Sequence, residues 1–273
     1  MRRAPLILAA LPGLALIACA GVACAADRCA DIAQSIEMLH DGDPYQASTL
    51  LFAAARSGCE PQARALLHRG AAIDAKDREG KTALAIAAEA NKLAVMKLLI
   101  EHGADVNARA VNGATPLFAA AKEDRGPAVA LLLDRGADPN LAGPQGLTPL
   151  AAAAYNGSPD SVEALLKHGA DPNALDDEGK SAMVYAAGRA YAPVVALLIQ
   201  AGVDVNRRYA HGLTALMWAA GHDRSAGVED VEATIRMLIE HGAEPGLKDD
   251  RGKTAADIAS GVENQRAAKL LSR

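Results

Sequence analysis

Apolar positions along this chain fall into two alternating runs that return every 33 residues. One run is short and alanine-paired, as in Ala83-Leu84-Ala85-Ile86-Ala87-Ala88. The other is leucine-rich, as in Val95-Met96-Lys97-Leu98-Leu99-Ile100. Both place apolar side chains at intervals of three and four, the signature of helices with one buried face. Between successive units lies a polar stretch containing Gly, Asp and Asn, the chemistry of turns. Thr or Ser stands at Thr49, Thr82, Thr115, Thr148, Ser181 and Thr214 at the same interval. Glycine keeps step at Gly70, Gly103, Gly136, Gly169 and Gly202, with Gly242 arriving seven residues late. A fixed internal period predicts a stack of like supersecondary units whose core lies between neighbours, not one large globule.

The period assigns a role to each position. The Thr or Ser is expected to cap a first helix, with Pro116 and Pro149 in the first turn, where a missing N–H is harmless. Alanine pairs Ala54-Ala55, Ala87-Ala88, Ala120-Ala121, Ala153-Ala154, Ala186-Ala187 and Ala219-Ala220 let neighbouring first helices approach closely. Pro61, Pro127 and Pro193 mark the start of the second helix, and Leu66, Leu99, Leu132, Leu165, Leu198 and Leu238 form its buried ridge. The glycines end that helix in a left-handed turn. Just ahead of them stand His102, His168 and His241, or Arg69 and Arg135, where a cation suits the helix dipole. The linking segments read as extended hairpins with polar tips. Residues Asp31 to Leu39 place Ile32, Ile36 and Leu39 on one helical face, an N-terminal cap expected to end at Gly42 and Pro44.

Glycine-x-Thr-Pro-Leu, Ala-Ala, Leu-Leu and Gly-Ala-Asp-x-Asn together resemble the ankyrin repeat, a 33-residue unit of a turn and two helices. Segments 113–121, 146–154 and 102–108 match best, and the resemblance covers about Thr49 to Leu271. It implies an all-α repeat solenoid of helix-turn-helix units joined by hairpin loops. The domain plan is a signal over 1–25, a capping helix over 26–44, and an array over 45–273 of six repeats plus a truncated capping repeat. Two departures stand out. The family's usual histidine after Thr-Pro-Leu is replaced by Phe52, Ala85, Phe118, Ala151, Val184 and Met217, and the sixth repeat carries a seven-residue insertion within Gly221–Asp230.

Function, by this resemblance, is protein binding on a concave face made by the hairpin tips and the exposed side of the first helices. Arg78, Glu79, Lys81, Glu89, Asn112, Lys122, Glu123, Gln145, Tyr155, Asn156, Asp177, Glu178, Arg189, His211 and His222 are expected there. Aromatic residues and Arg carry most interface energy, so Tyr155, Arg189, Tyr209 and Trp218 are the favoured anchors, although Trp218 also suits a core position. The leading expectation is a monomeric, non-enzymatic scaffold that holds another protein. The alternative is an inhibitor or immunity protein covering a secreted toxin or envelope enzyme. A metal or enzymatic site on the 221–230 insertion, using His211 and His222 near Asp223 and Glu229, ranks last.

Composition and termini narrow the setting. Arg2 and Arg3, an apolar run from Leu6 to Ile17 and small residues after it read as a secretory signal. Cleavage after Ala23-Cys24-Ala25 competes with a lipoprotein-like Leu16-Ile17-Ala18-Cys19, which would put a lipid anchor on Cys19. The first exit leaves a periplasmic or secreted chain with two cysteines, and losing Arg2 and Arg3 moves its net charge from −5 to −7. Nucleic acid is a poor partner for such a surface. Cys29 precedes the cap helix and Cys59 lies between the helices of the first repeat. An oxidising compartment and an even count favour a bridge between them, whereas helix axes 8–10 Å apart exceed disulfide reach unless the loops close in. Gly-Lys-Thr or Gly-Lys-Ser at 80–82, 179–181 and 252–254 imitates a phosphate loop. The glycine that such a loop needs five residues earlier is replaced by Ala75, Ala174 and Leu247. No cofactor is expected.

Overall fold

In a computed structural model the described residues are 22–39, 43–221, 227–262 and 264–272. They form an all-helical repeat solenoid of fifteen α-helices, without strands among the described residues. A leading helix, α1 (Val22–Glu37), precedes seven helix pairs. The first three pairs are α2 (Pro44–Ser57) with α3 (Glu60–His68), α4 (Ala83–Glu89) with α5 (Leu93–Glu101), and α6 (Pro116–Lys122) with α7 (Gly126–Asp134). Next come α8 (Pro149–Asn156) with α9 (Pro159–Lys167) and α10 (Ala182–Gly188) with α11 (Ala192–Gln200). The last pairs are α12 (Ala215–Ala220) with α13 (Val228–Glu240) and α14 (Ala255–Gly261) with α15 (Gln265–Leu271). First helices pack on first helices and second helices on second helices in chain order, so the core is a continuous seam between repeats.

Every member of the leucine ridge, Leu66, Leu99, Leu132, Leu165, Leu198 and Leu238, is fully buried, as are all twelve paired alanines. Alanine there allows the short first helices, six to eight residues from α4 to α12, to lie close together. Helices this short are marginal alone, so their stability comes from neighbours. The glycines after the second helices adopt left-handed φ values, from 82° at Gly136 to 92° at Gly242. His102, His168 and His241 each place Nδ1 2.8 Å from the carbonyl four residues earlier, occupying an acceptor that the helix end leaves open.

The caps follow the expected phase with two corrections. Thr82, Thr115, Thr148 and Thr214 accept a hydrogen bond from the backbone N–H three residues on, and Thr254 does the same in the last repeat. Thr49 does not cap. Asp43 accepts from the N–H groups of Tyr45 and Gln46 and Pro44 follows it, so α2 begins earlier and leaves Thr49 inside, its hydroxyl donating to the Tyr45 carbonyl. Pro44 therefore opens a helix instead of ending the one before it; Gly42 lies outside the described residues. Ser181 occupies its cap position without making the capping bond.

The linkers are hydrogen-bonded turns, each closed by a backbone bond: Asp77 to Lys81, Ala110 to Ala114, Gly143 to Leu147, Asp176 to Lys180, Tyr209 to Leu213 and Asp249 to Lys253. Where the turn starts with Asp, its carboxylate also accepts two N–H groups, at Asp77, Asp176 and Asp249. At Asp249 the backbone bond from Lys253, with the Arg251 contacts, holds the carboxyl below its ordinary range. The Asn of Gly-Ala-Asp-x-Asn stitches one repeat to the next. Asn107, Asn140 and Asn206 accept from the N–H of Asp138, Asp171 and Glu244, and Asn140 also donates to the Gly169 carbonyl.

At the N-terminal end, α1 lays Ile32 and Ile36 onto the first pair, covering its apolar flank. Cys29 and Cys59 are paired with Cα atoms 5.5 Å apart, because the turn between α2 and α3 comes up against α1. At the other end Asp257 closes a capping box with Thr254, and hydrogen bonds from that residue hold its carboxyl below the ordinary range. Part of the sixth-repeat insertion goes into a longer second helix: α13 has 13 residues where α3, α5, α7, α9 and α11 have nine. Residues 222–226, with His222, lie outside the described residues.

Candidate protein-binding face

Two positions on the first helix set the shape of the exposed face. Four residues after the cap position the repeats carry Ala53, Ile86, Ala119, Ala152, Tyr185 and Trp218; seven residues after it they carry Arg56, Glu89, Lys122, Tyr155, Gly188 and Gly221. Small residues of the first series in the third and fourth repeats leave a hollow, and the aromatic side chains beyond it form a wall. The result is a cleft of about 410 Å³. Its floor is Phe118, Ala119 and Ala152, its hairpin side Asn112, Ala114, Pro144, Gln145 and Leu147, and its far wall Tyr155, Asn156 and Tyr185. Lys81, Glu89, Lys122 and Glu123 complete the rim.

Gly143 is what keeps Phe118 out of the way. A Cβ at this hairpin position would come within 2.8 Å of the Phe118 ring, so the bare backbone lets the ring tuck beneath the turn. Asn156 is fixed by two amide bonds, to the Ala121 and Lys122 carbonyls at 3.0 and 2.8 Å. Lys81 is held by Glu79 and Glu89, each at 2.9 Å. Burial alone would lower its pKa, but the hydrogen bonds to Glu89 and Glu79 outweigh that and keep it above the ordinary value. The rim cation is thus neutralised within the protein.

Past Tyr155 lies a second hollow of about 210 Å³, lined by Tyr155, Lys180, Val184, Tyr185, Gly188, Arg189, Trp218 and Gly221. It exists because Gly188 and Gly221 stand where earlier repeats carry long side chains. Aromatic and cationic groups interleave around it. Arg189 lies 4.3 Å from the Tyr155 ring centre and 5.7 Å from that of Tyr191, and Lys180 lies 5.5 Å from Trp218 and 5.9 Å from Tyr185. Tyr155 and Tyr185 meet edge to face at 5.9 Å, within the favoured range for such pairs. Burial, then the hydrogen bond to Asp176, pushes the Tyr185 phenol well above its usual pKa, so it stays a neutral donor.

Of the twelve residues expected at the partner face, Lys81, Glu89, Lys122, Glu123, Tyr155 and Asn156 line the cleft, and Tyr155 and Arg189 line the second hollow. Glu79 joins through Lys81. Arg78 and His211 are exposed but line neither. Tyr209 is a correction. It takes the turn-opening position that Asp holds elsewhere, and its ring turns into the core and is only 7% exposed, so it is not available to a partner. Tyr185 and Lys180 belong to the site and were overlooked. The signal was present: Tyr185 stands 33 residues before Trp218, which fixes it on the same face.

Among the described residues there is no group of three or more His, Cys, Asp or Glu placed to hold a metal ion. No described helix is long and apolar enough to cross a membrane.

Family models agree with this anatomy. One described as ankyrin repeats (3 copies) matches residues 22–110, 50–143, 107–176 and 136–209, and one described as ankyrin repeat matches 211–250. The chain belongs to the ankyrin-repeat family. Ankyrin repeats generally mediate protein–protein interaction and are typically non-enzymatic, and a face with an apolar cleft beside an aromatic–cation cluster is in keeping with that. No curated protein matches this chain.

Proposed function

We propose that this ankyrin-repeat protein is a non-enzymatic scaffold of the cell envelope that holds a partner protein along the first-helix face, between the third and sixth repeats. The observation that carries the reading is the cluster of Tyr155, Tyr185, Arg189 and Trp218. Aromatic and Arg side chains are the residue types that dominate binding energy, and here they gather on one face beside an apolar cleft. The opposite side of the stack offers charged helix surfaces such as Lys97 and Glu101.

Export rests on the N-terminal pattern of Arg2, Arg3 and the apolar run after them, followed by a cysteine pair that suits an oxidising compartment. In that setting Cys29 and Cys59 form a disulfide that ties the leading helix to the array. Alkylation of the intact protein before and after reduction, read by mass, tests the bridge; labelling of both thiols without reductant removes it.

Site-specific photo-crosslinking in the native envelope tests the scaffold. A benzophenone side chain at position 155 should capture one dominant protein, and the same group at position 97 should not. Equal capture from both positions, or none from 155, overturns the proposal.

A further inference from the structure

The two hollows differ in chemistry, and that difference describes what lies across them. In the cleft the charged rim is balanced, Lys81 and Lys122 against Glu89 and Glu123, and Lys81 is already bound to two carboxylates. What remains to be filled is an apolar space over Phe118, Ala119, Leu147 and Ala152. Its volume of about 410 Å³ holds one bulky side chain with its flanking backbone.

The second hollow is lined by Lys180 and Arg189, with no carboxylate among its described lining residues. Lys180 does reach Glu178, at 2.6 Å, but that glutamate is 62% exposed, and an ion pair so open to water is cheaply exchanged. Tyr155 and Tyr185 line both hollows, so the two sites share a wall and lie about one repeat apart. One helix layer is roughly 10 Å, about three residues of extended chain at ~3.3 Å each.

Building on the scaffold reading above, we infer that the partner presents an extended segment with a bulky apolar side chain seated over Ala119 and Ala152. About three residues away, an acidic group lies against Lys180 and Arg189. The apolar anchor supplies affinity. The carboxylate fixes direction and register, because only one orientation of the segment places it beside the cations.

The probe is a library of random twelve-residue peptides displayed on phage and selected against the purified mature chain, with winners resynthesised and measured by fluorescence anisotropy. Enriched peptides should carry Phe, Trp, Leu or Met with Asp or Glu two to four positions away. Free-acid and amidated forms of each separate a side-chain carboxylate from a chain terminus. Ala119→Tyr fills the cleft and should weaken binding about tenfold or more. The fold should accept it, since Tyr185 occupies the same position two repeats later. Lys180→Met should abolish the preference for Asp over Asn in the same peptide while leaving the apolar requirement intact.

Two results overturn the inference: failure to enrich this pattern, or enriched peptides whose binding survives Ala119→Tyr in a chain that melts normally. If Ala119→Tyr melts early, Tyr185→Ala, which removes the shared wall from the other side, is read in its place, and undiminished binding then overturns it. Capture of a protein from position 155 alongside either result keeps the scaffold and rejects this recognition chemistry. Loss of both rejects both.

Discussion

The leucine ridge and the exposed first-helix face share a period of 33 residues but obey different rules. Along the ridge, Leu66 through Leu238 repeat one residue type and all are fully buried. Along the face, Ala119, Ala152, Tyr185 and Trp218 occupy one position in successive repeats and alternate between hollow and wall. A buried seam between identical units demands the same volume each time, because cores are close-packed. The face has no such neighbour, so it is free to vary, and the variation shapes the cleft.

The sharpest way to break this contrast is to make the same kind of truncation on both sides. Leu99→Ala should cost about 2–5 kcal/mol, the range for a large-to-small change at a fully buried site. Lys122→Ala, on the exposed rim, should stay within about 0.5 kcal/mol. Urea unfolding measures both. A ridge mutation as mild as the rim mutation would mean that the helices are out of phase.

Gly157→Ala carries the next largest effect. Gly157 sits in the left-handed turn between α8 and α9, at φ 71°, and an added Cβ would come within 2.7 Å of the Tyr191 ring. Left-handed backbone costs roughly 1–2 kcal/mol for a residue with a side chain, and crowding adds about 1–3 kcal/mol. The expected loss is about 2–4 kcal/mol by urea unfolding. A loss below about 1 kcal/mol would show that the ring yields freely.

The stitch between repeats should matter less. Asn140 accepts from Asp171 and donates to the Gly169 carbonyl, but it is exposed to water. Asn140→Ala should cost about 1 kcal/mol, the net worth of ordinary hydrogen bonds. Hydrogen exchange at the Asp171 amide should accelerate with it; an unchanged amide would place the stitch elsewhere.

The fold was readable from the sequence because its causes are periodic. Paired alanines, ridge leucines and glycine helix ends each appear at least five times, so one misassigned copy cannot mislead. Thr49 shows the limit. It keeps the period, yet Asp43 and Pro44 offer a better helix start nearby, and a local cap overrides phase. The face was half readable. Lys81, Glu89, Lys122 and Tyr155 follow from their positions, whereas Tyr209 looked like an anchor because exposure was inferred from residue type. Its burial depends on the turn lacking the Asp that opens the same turn at Asp77, Asp176 and Asp249, a substitution whose effect appears only once the ring is placed. Tyr185 was missed for the opposite reason, since the period that located the core was not extended to the surface positions.

The smallest effect tests whether the left-handed turns are interchangeable. Gly58, Asn91, Asp124, Gly157 and Ala190 fill the same turn at φ values of 82°, 54°, 53°, 71° and 61°. Ala190 is the residue least suited to it, as alanine lacks the short polar side chain that lets Asn and Asp visit this region. Ala190→Gly relieves that strain, worth about 1–2 kcal/mol. It also removes a buried methyl, about 0.8 kcal/mol, and frees the unfolded chain by roughly 0.5–1 kcal/mol. These terms nearly cancel, so the urea midpoint should move by less than about 1 kcal/mol equivalent at constant m-value. Set beside Gly157→Ala, the two exchanges at one turn position should differ several-fold in size, because only Gly157 has the Tyr191 ring against it. Equal and opposite shifts would instead make backbone strain the whole cause and leave the ring contact without energetic weight.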